Sequence, residues 1–270
     1  MAEIESSFWD IRRLDTLAFA DSPIHRLDPR VKILTTLVYI VTVVSFPKYA
    51  VSALLPFLLY PVVISSLGRV PLELLARKML PAALFAFAIG IFNPLLDRAP
   101  LFAVGPLCVS GGMVSFCSIM LRVLLTVSAA LLLIATTGME AVGSGLERLG
   151  APKGFVVQLL FLYRYIFVLG DTASRMARAR DLRSFGRRGT GIRSYATLLG
   201  HLLLRTMDRA QNIHQAMLCR GFDGEIRLGK PMRLRAADTL FLLLWSVLFL
   251  LLRQVNLSRL LGALATGLFS

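Results

Sequence analysis

Acidic residues are scarce in this chain: 16 Asp and Glu stand against 30 Lys and Arg, and charge of either sign makes up only 17% of 270 residues. With 56% hydrophobic residues and a mean hydropathy of +0.69, so little charge excludes an ordinary soluble globular domain. Cysteine is equally sparse. Cys108, Cys117 and Cys219 form no CxxC pair, which excludes a disulfide framework or thiolate metal cluster, and Cys117 reads as a small hydrophobe in an apolar run. The three histidines, His25, His201 and His214, are isolated, whereas a metal centre needs converging ligands. No GxxxxGK[ST] phosphate loop occurs: "GSGLERLGAPKG" and "GRRGTGIRS" both lack its ending, which excludes nucleotide hydrolysis by that route. HExxH and GxSxG are also missing, and Asp171, Asp181 and Asp208 lack the spacing of a metal-binding cluster. A membrane-embedded enzyme using its arginines on a phosphate or lipid is therefore the weaker rival reading. The first thirty residues have no apolar stretch like that of a secretory signal peptide, so the N-terminus is expected to stay on the cytoplasmic side.

What the chain has in quantity is apolar sequence. Segments 31–46, 49–67, 82–96, 113–137 and 239–252, with a weaker one at 257–269, are apolar enough to cross a bilayer, several of them short for the task. Pro47 and Lys48 make a tight turn between the first two. Pro56 and Pro61 should kink the second, freeing backbone groups that neighbouring helices must satisfy, and Pro81 and Pro94 bracket the third. Arg122 is a charge within the fourth segment, either paired inside the protein or snorkelling to the interface. A channel or carrier would need many polar residues on these segments, and the first three offer few beyond Thr35, Thr36, Thr42 and Ser52.

The net charge of +14 is unevenly spread. Residues 138–235 hold 17 Arg or Lys and 7 Asp or Glu, while 97–112 hold only Asp97 and Arg98. The basic excess reads as a cytoplasmic region lying against anionic lipid rather than as a nucleic-acid surface, and "LFAVGPLCVSGG" as a turn or small hairpin on the outer side. Three regions follow: an N-terminal membrane part over 1–137 with about four spans, a cytoplasmic helical region over 138–235, and C-terminal membrane helices over 236–270. The fold class is all-α, a polytopic bundle of five to six membrane helices with long cytoplasmic helices.

Within the cytoplasmic region, 138–150 reads as a short amphipathic helix stopped at Gly150 before Pro152. A longer helix runs from Phe155 to about Ser184, apolar for its first four turns and arginine-rich for its last three. After "GRRGTG" another runs from Ile192 to Arg220, with Tyr195, Leu199, Leu202, Thr206, Ala210, Ile213 and Met217 on one stripe. That stripe is either a sliding surface or the packing face between the two helices. Both helices end alike. "ARDLRSFG" gives Arg183-Ser184-Phe185 and "AMLCRGFDG" gives Arg220-Gly221-Phe222. A single arginine at a helix C-terminus is explained by capping and the helix dipole, worth about 0.3–1 kcal/mol. The repetition points to docking, because a guanidinium can fork onto a carboxylate or helix-end carbonyls while a small neighbour lets a partner backbone approach.

"DSPIHRLDPRVK" at 21–32 and "AMLCRGFDG" at 216–224 resemble the transmembrane coupling component of energy-coupling factor transporters, in particular the cobalt/nickel type called CbiQ, and the resemblance covers nearly the whole chain. Members carry two Ala-Arg-Gly or Ala-Arg-Ser signatures on cytoplasmic coupling helices. These map onto Arg183-Ser184 and Arg220-Gly221, supported by Ala179, Arg180, Phe185, Ala216, Met217 and Phe222. Leu182 and Cys219 stand where alanine is expected, and Ala179-Arg180 is a competing placement of the first signature; Arg183 is preferred because both copies then read arginine, small residue, phenylalanine. The resemblance implies two ATP-binding-cassette ATPase subunits that receive the coupling helices and carry the ATP, and a separate membrane subunit that captures cobalt or nickel and holds the metal ligands. This chain would bind no cofactor and catalyse nothing. It would reside in the bacterial inner or plasma membrane, multi-pass, with its N-terminus inside. A coupling component serving a vitamin capture subunit is the alternative.

Overall fold

The first helix, α1 (Pro29–Val44), starts where the sequence sets a cap: Asp28 Oδ1 accepts the Arg30 N–H at 3.0 Å and Pro29 takes the first helical position. In this computed structural model residues 17–18, 21–96, 100–104, 107–183, 192–224 and 234–254 are described; the segment expected at 257–269 lies outside them. Next come α2 (Val51–Leu67), α3 (Leu72–Gly90), α4 (Asn93–Leu96), strands β1 (Pro100–Val104) and β2 (Leu107–Ser110), α5 (Gly111–Thr137), α6 (Met139–Arg148), α7 (Lys153–Arg183), α8 (Ile192–Leu218) and α9 (Ala236–Gln254). The described residues form two compact units, one drawn from 15–145 and 232–270, the other from 146–231, with the boundary inside α6.

In the first unit α5 is the central helix and touches α1, α2, α3 and α4, while α9 packs on α1 and on the 3-10 turn Leu55–Leu58 within α2. The interior is aromatic. Tyr39, Phe57, Tyr60, Trp245 and Phe249 interlock with ring centres 4.6–6.1 Å apart, mostly tilted or edge to face. The prolines explain one polar contact in it. Pro61 has no N–H to give the carbonyl four residues earlier, that of Phe57, and the Tyr39 hydroxyl donates to that carbonyl at 2.9 Å. Buried hydroxyls are also satisfied locally: Thr35 donates to the Val31 carbonyl, Thr42 to that of Val38, and Thr36 shares a bond with Tyr60. The threonines that a polar pathway would need are thus consumed inside the bundle.

The third apolar segment is longer at its start than the sequence suggests. Pro81 lies inside α3, which begins at Leu72, and does not bracket it. Its missing N–H costs one backbone bond, and the amphipathic turn before it, with Glu73 and Arg77 paired at 2.6 Å, continues the helix toward the N-terminus. The segment expected to form a turn or hairpin does so: β1 and β2 pair antiparallel, with Ala103 opposite Cys108 and Val104 opposite Leu107.

The second unit is the pair α7 and α8 with the turn after α6. Gly150, at φ +106°, ends α6 with the Ala151 N–H on the Leu146 carbonyl and the Gly150 N–H on that of Glu147, the two bonds of a Schellman motif. Together with α5 and α9, α7 is one of three described helices long and apolar enough to cross a membrane. Within the region 138–235, read from its charge as cytoplasmic, only Arg164 is charged between 155 and 170, and the arginines collect in the last turns of α7.

Candidate coupling site

The two arginine corners are the ends of α7 and α8. Arg183 is the last residue of α7 and exposed; Ser184 and Phe185 lie outside the described residues. Arg220 is exposed two residues beyond α8, between Cys219 and Gly221. Gly221 has φ +76°, and the Phe222 N–H bonds the Met217 carbonyl while the Gly221 N–H bonds that of Leu218, each at 3.0 Å. This is again a Schellman motif, which satisfies the carbonyls at the helix end and turns the chain sharply, as the Arg-Gly pair suggested. A side chain at position 221 would meet nothing within 4 Å, so glycine is required there by backbone conformation alone, and the space beside Arg220 is open.

The competing arginine is occupied. The Arg180 guanidinium lies 4.3 Å from the centre of the Tyr195 ring on α8, and its Nη2 donates to Asp181 Oδ1 at 3.1 Å. Arg180 thus ties α7 to α8, whereas Arg183 is exposed at the end of α7. Of the supporting residues, Ala179 and Ala216 are exposed, and Met217 and Phe222 are half-buried in one apolar groove between the helices. Arg183 faces the first turns of α8 at Thr197, Leu198 and His201, while Arg220 follows its last turn. The fold therefore keeps the two arginines apart, by roughly 33 Å along α8 at 1.5 Å per residue.

The stripe on α8 is divided. Leu202, Thr206, Ile213 and Met217 are half-buried, as a packing face toward α7 requires, whereas Tyr195, Leu199 and Ala210 are exposed. A further apolar set, Leu203, Leu204 and Met207, is exposed as well.

A second group of functional interest is in the other unit, where sequence reading saw only flanking charge. Lys32, which by sequence is one of the charges flanking the first apolar segment, is 5% exposed and its Nζ donates to the Thr136 carbonyl at 2.9 Å. That carbonyl belongs to the last turn of α5, whose end is set by Gly138 at φ +77° with its N–H on Ile134. Asp238, 2% exposed, accepts the Arg235 N–H at 2.7 Å and reaches across to the Asp28 N–H at 3.2 Å. Asp28, itself buried, lies 3.8 Å from Arg30 Nε. Two acids and two bases thus join the starts of α1 and α9 to the end of α5. The sequence signal is a lone lysine at the second position of one apolar run and a lone aspartate one residue before another. Nothing in their spacing pairs them.

Close to this group α6 approaches α1 through Gly145, where an added Cβ would fall 2.7 Å from Ile33 Cδ1 and 3.2 Å from Pro29 Cβ. His25 holds a 2.7 Å hydrogen bond between Nδ1 and Ser22 Oγ, and burial, then the Lys32 charge, push its pKa below the ordinary histidine value. Arg122 Nη2 donates to the Pro47 carbonyl at 2.6 Å, in the turn between α1 and α2.

Long apolar helices around a central span, with a basic helix pair that ends in exposed arginines, define the class: a helical membrane protein. Residues 20–231 match the family of cobalt transport proteins, CbiQ, and the chain belongs to that family. It is similar to the energy-coupling factor transporter transmembrane protein EcfT of Thermosediminibacter oceani, at 27% identity over 81% of this chain and 88% of that one. The EcfT of Thermanaerovibrio acidaminovorans is 29% identical over 84% of this chain and 90% of its own. The cobalt transport protein CbiQ of Rhodobacter capsulatus is 32% identical over 36% of this chain and 40% of that one. The chain is a membrane energy-coupling component of a transporter.

Proposed function

We propose that this chain transmits ATP-driven motion from two ATP-binding-cassette ATPase subunits to a membrane subunit that captures cobalt or nickel ions, and that it binds no nucleotide or metal itself. The observation that carries the reading is the pair of exposed arginines, Arg183 and Arg220, held apart by the length of α8, with Ser184 following the first in sequence and Gly221 the second. Two separated corners suit two ATPase subunits, each taking one helix end. Arg180 and Ala179 support the first corner; Ala216, Met217, Phe222 and, by sequence position, Phe185 complete the set. Closure of the ATPases around ATP would move the corners relative to one another, and α7 and α8 would carry that motion to the capture subunit. In this arrangement the protein spans the membrane several times with its N-terminus on the cytoplasmic side, and ATP hydrolysis belongs to the partner chains.

Co-purification from detergent tests the docking role. Arg183→Glu with Arg220→Glu should release the ATPases while leaving the protein folded, because each exposed side chain costs little stability by itself. Retention of both ATPases by the double variant would refute it. The relatives that align along most of the chain carry the general energy-coupling name and the one named for cobalt aligns over a shorter stretch, which keeps a vitamin-type capture partner as the second reading. Uptake of radiolabelled cobalt(II) by the reconstituted complex, against a vitamin, decides between them.

A further inference from the structure

Helix α6 is the piece of chain between the last turn of α5 and the start of α7, and its sequence, MEAVGSGLER, is poor helix material. Its ten residues are fewer than an isolated helix needs, and Gly143 and Gly145 each cost about 1 kcal/mol against alanine. Both are buried, and Gly145 is not among the glycines with positive φ, so backbone conformation does not call for it. Space does. An added Cβ would fall 2.7 Å from Ile33 Cδ1, 3.2 Å from Pro29 Cβ and 3.4 Å from the Pro29 carbonyl carbon, all at the start of α1. The backbone of α6 therefore lies directly on α1.

The surface under Gly145 is firmly held. Pro29 is fixed by its ring, and Asp28 before it receives Asp238 Oδ1, from the start of α9, on its N–H. One turn on, Lys32 holds the Thr136 carbonyl in the last turn of α5, from which α6 departs at Gly138. A load applied at Gly145 thus falls on a start of α1 that is bonded to both α5 and α9.

We propose that Gly145 is a positioning residue for coupling: its seat on Pro29 and Ile33 is the bearing through which movement of α7 reaches α1, α5 and α9. The inference rests on the coupling reading given under Proposed function. Two features favour a bearing over simple packing. Gly138, at φ +77°, and Gly150, at φ +106°, bound α6, which makes it a separate rigid piece instead of a continuation of α5 or α7. A connector alone would also be more stable with alanine at 145. Glycine gives up helix stability for a contact with no intervening side chain, and close-packed contacts pass displacement on with little compression.

The test uses the whole complex, this chain with its ATPases and capture subunit in proteoliposomes. It reads the ATPases retained, the ATP hydrolysed, and the uptake per ATP of whichever radiolabelled cargo, cobalt(II) or the vitamin, the parent complex accumulates. Gly145→Ala should keep the ATPases and the hydrolysis while uptake per ATP falls by about tenfold. Adding Ile33→Val deletes the Cδ1 that the new methyl meets and should restore most of the loss, because volume is conserved. Ile33→Ala alone empties the seat without a clash and should lower the ratio too, a measurement that does not depend on the folding of Gly145→Ala. Gly154→Ala on α7, where an added Cβ meets nothing within 4 Å, should leave the ratio at the parent value. An unchanged ratio in Gly145→Ala, an equal fall in Gly154→Ala, or no restoration by Ile33→Val would overturn the proposal. So would loss of ATPases or hydrolysis in step with uptake, since Gly145 would then serve stability alone. Failure of the coupling reading shows separately, in the parent complex, as ATPases not retained or hydrolysis without uptake, and would overturn this inference with it.

Discussion

Replacing Lys32 by methionine removes one charge from a buried, balanced group and should be the most damaging conservative change in the first unit. The methionine side chain is similar in length, so packing is largely kept. What is lost is the 2.9 Å bond to the Thr136 carbonyl, in a last turn of α5 that has no further residue of its own to offer, and the cation that faces Asp28 and Asp238. A hydrogen bond from a charged donor contributes about 1.5–3 kcal/mol, and removing one partner of a buried ionic group costs about 3–5 kcal/mol. The two aspartates keep backbone N–H donors, which places the expected loss nearer 3 than 5 kcal/mol. Denaturant unfolding in mixed micelles can be followed by Trp245 fluorescence, because that ring is buried against Tyr60 and Phe249 on the helix that Asp238 starts. Adding Asp238→Asn to Lys32→Met removes the orphaned negative charge and should restore roughly 1–3 kcal/mol relative to the sum of the single changes. A Lys32→Met protein within about 1 kcal/mol of the parent would refute the reasoning, as would strict additivity of the two substitutions.

Gly221→Ala should cost about 1–2 kcal/mol from backbone conformation alone, since φ is +76° and no neighbour obstructs a Cβ; Gly221→Asn should be milder, and amide exchange at Arg220 and Phe222 reads both. Unaltered exchange in the alanine variant would argue against the Schellman turn. At Gly145 the limit is space: alanine must displace Ile33 and press on the fixed Pro29 ring, at a cost of about 1–3 kcal/mol measured by the same unfolding assay. For His25 the fold favours the neutral ring. Its stability contribution is full above the unfolded value near pH 6.5 and is lost as pH falls from there toward the lowered folded value, so His25→Gln should flatten the acid side of the stability curve. An unchanged slope in that variant would remove His25 from the acid response.

Much of the architecture follows from local patterns because each is enforced by neighbours in sequence. Asp28-Pro29 starts α1, Gly150 and Gly221 stop helices with the positive φ that glycine tolerates, and Pro47 with Lys48 separates α1 from α2. Pro81 misled because a proline limits a helix only on average. Here the turn before it is held by its own Glu73–Arg77 pair, and the helix continues through. The arginine corners were legible as a repeated motif, but the contact of Arg180 with Tyr195 was not, since it joins two different helices.

By itself the sequence determined the class: an apolar, acid-poor chain must place its helices in a bilayer, and its arginines mark where helices leave it. It also determined the glycine-ended corners, because the backbone conformation is a property of a few adjacent residues. Only the tertiary structure decided that Lys32 is a buried clasp instead of an interfacial charge, that Tyr39 supplies the bond Pro61 withholds from Phe57, and that Arg180 of α7 lies over the Tyr195 ring of α8. Each of these joins groups distant in the chain. Burial makes their partners obligatory, and no local spacing encodes which partners they will be.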